Sequence, residues 1–327
     1  MNALLHDPAL VVADRWQRDF PLSDRPFAAI GHQHDLTEAE VLSGFKRLRD
    51  SAMLSRVGAV VRPHAAGIST LAALSCPPED LPRVAAIVCA EHGVNHNYER
   101  EHAFNLWFVV TALSESDLLA ILARIERHTG YGVIDLRLQQ PYHIDLGFAL
   151  AAKDGRKPAQ GSASRQATAD EQKLLAAMED GIPLVETPFA AMALRLGWSE
   201  PDVREMIGAM CKAGIISRFG CVIRHRSVGY TANAMAVWDV PGEITDCIGW
   251  RLAGEPGVTL CYRRNRAGTQ WPYNLFAMIH GRDKEAVKAL IATIAQRTGL
   301  SDYPSDILFS RRCFAQRGAR FSAREAA

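Results

Sequence analysis

Apolar positions recur along this chain with two periods, and each period predicts a different element. In 170–179, Leu174, Leu175 and Met178 share one side of a helix that Thr168 can cap. A second helix is predicted over 188–196, with Gly197 placed to end it. A third begins after Ser199 and runs through Ala213, carrying a proline in its first turn. Gly214 then leads into IISRFGCVIRH, which reads as a short β-hairpin. Three helices and a two-stranded wing predict a winged helix-turn-helix. Beyond it the period shortens. Strands are expected over 231–240, 258–264 and 273–280 and near 306–314, with helices over 243–253 and 283–297. That order is βαββαβ, a ferredoxin-like sheet with helices on one face.

The same pattern occurs twice. RPFAAIGHQHDLTEAEV from Arg25 aligns without a gap with TPFAAMALRLGWSEPDV from Thr187, and MLSRVGAVVRPHAAG (53–67) aligns with IISRFGCVIRHRSVG (215–229). GVNHNYER at 93 meets GVTLCYRR at 257, and FNLW at 104 meets YNLF at 273. In the first copy the ferredoxin-like strands fall near 68–74, 94–100, 104–111 and 133–139. An internal repeat of this length predicts an α+β chain of two tandem copies, able to pack as an intramolecular pseudo-dimer. The expected domains are winged helix-turn-helix 1–63, ferredoxin-like 64–150, winged helix-turn-helix 168–226 and ferredoxin-like 227–327. Between the copies, 151–167 is rich in Ala, Gly, Ser and basic residues without apolar period, which predicts a flexible linker. Pairing of two whole chains into a homodimer stays open.

Charge narrows the partners. Lys plus Arg (37) balances Asp plus Glu (36), so no global attraction to nucleic acid or anionic membrane is expected. The third helices open on Thr37-Glu38-Ala39-Glu40 and Ser199-Glu200-Pro201-Asp202. Carboxylates at the end that normally meets the bases would face phosphates. The helix-turn-helix therefore reads as a structural or dimer-forming piece, and no specific DNA is expected as a partner. Seven cysteines without a C-x-x-C pair indicate neither a disulfide framework nor a zinc site. With no signal-like start and no long apolar run, a cytoplasmic protein without membrane attachment is expected.

The chemistry concentrates in HNYEREHAFNLWF (96–108) and its counterpart CYRRNRAGTQWPYNLFAMIHG (261–281). On one strand His96, Tyr98, Arg100 and His102 would project from the same face. If 101–103 instead turns the chain, His102 moves to the rim. The copies differ here. Leu260 stands where the first has His96, while Tyr262 and Arg264 match Tyr98 and Arg100. The loop that follows has eight residues (265–272) against three (101–103). A helix-turn-helix followed by βαββαβ resembles the Lrp/AsnC regulators, and the two motifs resemble the signature of the siroheme decarboxylases. These use that fold for catalysis and occur as paired subunits, here fused as NirD-like and NirL-like halves.

The resemblance implies a carboxy-lyase that removes carbon dioxide from two acetate side chains of siroheme, giving 12,18-didecarboxysiroheme. It also implies a place in heme d1 or alternative heme synthesis, and no added cofactor, the siroheme iron entering with the substrate. Siroheme and its decarboxylated product are the expected small-molecule partners. Physical chemistry supplies roles. Siroheme carries eight carboxylates on a flat apolar ring, so guanidinium forks and aromatic walls suit it. Arg100, Arg263, Arg264 and Arg266 are expected to bind carboxylates, with Trp107, Trp271, Tyr98 and Tyr273 as walls. A pyrrole acetate that loses carbon dioxide needs a proton on the remaining methylene. His96 and His102 are the expected acids, with Tyr98 as donor or orienter. One competent acid site near the first half is expected, although each half could instead handle one acetate. His64 and His280 are secondary candidates for ligand contact. His32, His34, His128, His143 and His225 read as surface residues, and Arg311, Arg312, Arg317, Arg320 and Arg324 as a solvated tail. Two other classes remain open: an Lrp/AsnC-type regulator responding to heme or a small ligand, and a tetrapyrrole carrier with histidine iron ligands.

Overall fold

The computed structural model describes residues 7–144, 165–224 and 229–321. They form two compact units, each drawing on both copies. Of the described residues, the first holds 7–67, 165–224 and 318–321, and the second holds 68–144 and 229–317.

In the first unit, each copy supplies three helices and one strand: α1 (Pro8–Arg15), α2 (Pro26–Gln33), α3 (Glu38–Asp50) and β1 (Leu54–Val61), then α6 (Ala169–Ala177), α7 (Pro188–Leu196), α8 (Glu200–Lys212) and β6 (Ile216–Ile223). The caps act as the side chains suggest. Thr37 with Glu40 and Thr168 with Glu171 make reciprocal capping boxes, and Gly197 ends α7 in the left-handed region. The expected two-strand wing in each copy is not what forms. β1 pairs antiparallel with β6, from Leu54 opposite Ile223 to Val61 opposite Ile216, so one ribbon joins the two copies. Gly58 faces Gly220 in its middle, and a Cβ on Gly220 would collide with the Trp16 carbonyl. The acidic starts of α3 and α8 are engaged locally: Glu40 accepts from Thr37 N, Glu38 pairs with Arg25, and Asp202 accepts from the Ser199 hydroxyl.

Most of the expected linker lies outside the described residues. Its last residues are anchored, Ala167 N donating to Ala65 O and Gln166 to His64 O. Nor is the C-terminal arginine run a solvated tail: Arg311 and Arg312 sit in the last strand, and Arg317 donates to the carbonyls of Val94 and Cys89. Arg324 and His225 lie outside the described residues.

The second unit is a closed barrel of eight strands. The first copy contributes β2 (Ile68–Leu74), α4 (Leu81–Ala90), β3 (Val94–Arg100), β4 (Leu106–Ala112), α5 (Glu115–Thr129) and β5 (Val133–Ile144). The second contributes β7 (Ala232–Trp238), α9 (Gly242–Ala253), β8 (Val258–Arg264), β9 (Leu275–Gly281), α10 (Lys284–Thr298) and β10 (Ser305–Gln316). Each half has the ferredoxin-like order, β5-β2-β4-β3 and β10-β7-β9-β8. Closure comes from the two 12-residue last strands. β5 pairs first with β2 and then with β8, and β10 first with β7 and then with β3. A closed sheet leaves no free edge.

Alternation sorts the side chains. One set of buried residues, such as Leu74, Phe108 and Val88, packs β2–β4 against α4 and α5; its counterpart packs β7–β9 against α9 and α10. The other parity points inward, where Leu71, Ala73, Trp107, Leu136, Met235, Val237, Phe276, Met278 and Leu308 form one cluster. No helix among the described residues is long and apolar enough to cross a membrane.

Candidate active site

Strand parity decides which motif residues can act together. On β3, Asn97 points outward and donates to Ala85 O on α4. His96, Tyr98 and Arg100 therefore face the barrel interior. His96 Nδ1 lies 3.1 Å from the Tyr98 hydroxyl, and the two rings stack. On β8, Cys261 packs against α9 and Tyr262 joins the inner cluster, so Arg264 is also inward.

Arg100 and Arg264 occupy matching places. Arg100 donates through one terminal nitrogen to Leu308 O on β10 (3.0 Å), and Arg264 to Leu136 O on β5 (2.8 Å). Each stacks its guanidinium over the tyrosine two residues earlier, at 5.8 and 4.8 Å. Neither has a carboxylate within ion-pair distance among the described residues. In both, Nε is buried without a hydrogen-bond partner. Burial dominates their electrostatics, pushing the Arg100 pKa down to about 10 and that of Arg264 down as well. Burial also pushes the Tyr262 phenol up, while Arg264 and Arg100 pull the other way. A buried cation lacking an anion is costly to a fold. Here two of them face the interior of one barrel.

Of the two places left open for His102, the structure takes the turn and not the strand. Arg100 N bonds Asn105 O, so 101–104 turn the chain and His102 sits at the rim. There its Nδ1 accepts from Phe104 N (2.9 Å) and its Nε2 lies 3.4 Å from Asp306. Several expectations need correcting. Arg263 has outward parity and pairs with Asp246 on α9 (2.9 Å), because adjacent strand residues point to opposite faces. Arg266 pairs with Asp239 and donates to the carbonyls of Val240 and Pro272, fastening the long loop of the second half. Trp107 and Trp271, expected as walls, are 0% and 1% exposed and pack edge to face at 4.8 Å. They form a floor with no surface to offer. Tyr273 packs on Trp271 and keeps part of its surface, its phenol raised by burial. His34 is also no plain surface residue, since it accepts from Trp16 Nε1.

One residue given only secondary weight belongs to the inner face. His280 follows Phe276 and Met278 at spacing two on β9, the alternation that places it inward. Asn233, opposite it on β7, escaped sequence reasoning. Arg100 donates weakly towards Met278 Sδ at 3.8 Å, which brings the first-half arginine to this second-half strand.

Comparison with known proteins agrees with this division of the chain. The model described as "AsnC-like ligand binding domain" matches 65–142 and 227–315, and the model "Siroheme decarboxylase NirDL-like HTH domain" matches 12–54 and 171–216. The siroheme decarboxylase NirDL subunit of Paracoccus denitrificans is 43% identical over 96% of this chain and 97% of its own length. The chain belongs to the siroheme decarboxylase family. A siroheme decarboxylase of Hydrogenobacter thermophilus is 32% identical over 94% of this chain and 93% of its own. The crystal structure of the siroheme decarboxylase NirDL superimposes with a TM-score of 0.69 at 29% identity, covering 96% of this chain and 94% of that one. A second structure, of NirDL with an iron-uroporphyrin III analogue, gives 0.68 at 29% identity over 97% and 94%. Membership decides between the function classes left open by the sequence: the chain is a decarboxylase rather than a transcription regulator.

Proposed function

We propose that this siroheme decarboxylase holds siroheme against the partly open inner face of the barrel and removes carbon dioxide from two of its acetate arms. The product is 12,18-didecarboxysiroheme, consumed in heme d1 synthesis or in the alternative route to heme. The carrying observation is the pair Arg100 and Arg264, desolvated guanidinium groups with no carboxylate at ion-pair distance among the described residues. A planar fork with a spare N–H suits a carboxylate arm, and low local polarity strengthens the grip.

Each decarboxylation has a simple balance. The bond between the methylene and the carboxylate carbon breaks, carbon dioxide leaves, and the electron pair passes into the pyrrole. One proton ends on the methylene, making a methyl group. His96, hydrogen-bonded to Tyr98, is the inner-face acid of the first half. His102, facing Asp306 at the rim, is placed to serve a substrate arm from there. Nothing beyond these side chains is required, so no added cofactor is proposed; the iron arrives within the substrate. The helix-turn-helix unit, with its acidic third-helix starts, is proposed to have no specific DNA partner.

Anaerobic incubation with siroheme followed by mass analysis tests the reading. Loss of one and then two carbon dioxide units is expected without added nicotinamide, flavin or metal. Tight binding with siroheme recovered unchanged would favour a carrier.

A further inference from the structure

His280 Nδ1 lies 2.7 Å from Asn233 Oδ1. Asn233 spends its amide nitrogen on the Tyr230 carbonyl at 3.0 Å, so its oxygen faces the ring and Nδ1 carries the hydrogen. A second proton can then be taken only at Nε2, which is buried. Register sets His280 at the end of a polar row across four adjoining strands. Arg100 stands opposite Ser310, Ala234 opposite Phe309, and Asn233 opposite His280. The charge of Arg100 acts on His280. Beside His280, β7 presents Asn233, the nearest paired residue of β8 is Val258 opposite Ile279, and α10 meets the strand end through Val287.

The matching row in the other half has lost this chemistry. Arg264 stands opposite Leu138, and Ser69 opposite Thr111, so no titratable group occupies the place of Asn233 or His280. Conversely, His96 faces Val109 where the second half sets Leu260 against Met278. Each half thus keeps one inward histidine, on a different strand.

Resting on the substrate placement above, we propose that His280 is a substrate-loaded proton donor. It is neutral in the free enzyme, gains a proton when a siroheme carboxylate settles on Arg100, and delivers it from Nε2 to the methylene of an adjacent acetate. His96 serves the other acetate. Burial, and after it the charge of Arg100, pushes the His280 pKa down to about 4. A carboxylate on Arg100 cancels that repulsion and adds an attraction of its own, favouring the charged ring. The charges balance: the acetate carboxylate plus the His280 proton become carbon dioxide and a methyl group, and the imidazole returns to neutral.

Proton uptake on binding is the direct readout, followed with an indicator dye in weakly buffered solution near pH 7. Iron-uroporphyrin III serves as the non-reacting probe. Linkage predicts a net proton uptake by the wild type that His280→Gln does not show. With siroheme, that variant should slow one of the two decarboxylations by about a hundredfold or more. Asn233→Asp gives an independent check, because a carboxylate at Nδ1 charges the ring before substrate arrives. It should abolish the proton uptake that accompanies probe binding. Undiminished uptake in His280→Gln or in Asn233→Asp, or both carbon dioxide losses at the wild-type rate in His280→Gln, would overturn the proposal. A wild type that binds the probe yet leaves siroheme intact would instead sink the functional reading.

Discussion

Replacing Arg100 by methionine separates what this side chain costs the fold from what it gives the site. The residue is 7% exposed, and its pKa falls from 12.5 to about 10, chiefly through burial. At about 1.4 kcal/mol per tenfold change, keeping it charged costs the folded state roughly 3 kcal/mol. Methionine removes that cost and fills much of the volume beside Met278. Against this stands the lost bond to the Leu308 carbonyl, worth about 1–3 kcal/mol if the carbonyl stays buried and unsatisfied. The net expectation is a variant as stable as the wild type, or more stable by up to about 2 kcal/mol. Binding should move the other way. A charge-assisted contact of roughly 1.5–3 kcal/mol corresponds to a Kd for iron-uroporphyrin III raised about 10- to 150-fold. Urea unfolding and absorbance titration measure the two quantities on one preparation. A variant destabilised by more than about 2 kcal/mol, or one that binds the probe as tightly as the wild type, would refute the assignment of Arg100 as a carboxylate grip.

Three further outcomes are expected. His96→Ala should slow one decarboxylation by about a hundredfold or more, with little change in probe affinity; full rates for both would remove His96 from the chemistry. Stability should depend on pH through His280. Its folded pKa lies below the unfolded 6.5, so the contribution is whole above about 6.5 and is lost as pH falls towards 4, by roughly 3 kcal/mol in all. The denaturant midpoint of the wild type should therefore fall relative to that of His280→Gln on acidification, and parallel curves between pH 7 and 4 would contradict it. Gly249→Ala should lower the melting temperature, because the new Cβ would overlap the Tyr142 ring that Asp246 holds through its hydroxyl; an unchanged melt would show that this contact yields freely.

The helices were legible because their signals are local. Thr168, Ser199 and Gly197 act within one turn of their own backbone, and the structure uses each as a cap. Strands were legible as strands, but not their partners. The alternation in IISRFGCVI says that one face is buried, and it is the same whether the neighbour is the next segment or the other copy. Hence a wing hairpin was expected, and a ribbon between copies formed. The site was lost and found by parity. Arg263 and Arg264 are adjacent in the motif yet belong to opposite faces, and only the outward one finds a carboxylate, Asp246. His102 shares the parity of Arg100 on paper, but the turn that returns the chain to Asn105 takes it off the strand. His280 was within reach of the same rule through Phe276 and Met278.

Duplication explains why both arginines stay unpaired while their surroundings diverge. A symmetric pair of sites would serve a symmetric substrate, but the acetates of siroheme stand on different rings with different neighbours. The structure keeps a guanidinium stacked on a tyrosine in both halves, the feature proposed to grip a carboxylate. It varies what the individual arm meets: His96 over Val109 in one half, Leu260 over Met278 in the other, and His280 with Asn233 where the first half has Thr111 and Ser69. Binding two unpaired cations costs each half stability, and a fused chain that closes its barrel with the strands β5 and β10 can bear it, since each arginine is anchored on the crossing strand of the other copy. Arg100 of the first half donates to β10 of the second, and Arg264 of the second to β5 of the first. Each guanidinium is thus oriented by a carbonyl of the other copy, so on the proposed reading the pairing of the copies shapes the site as well as the fold.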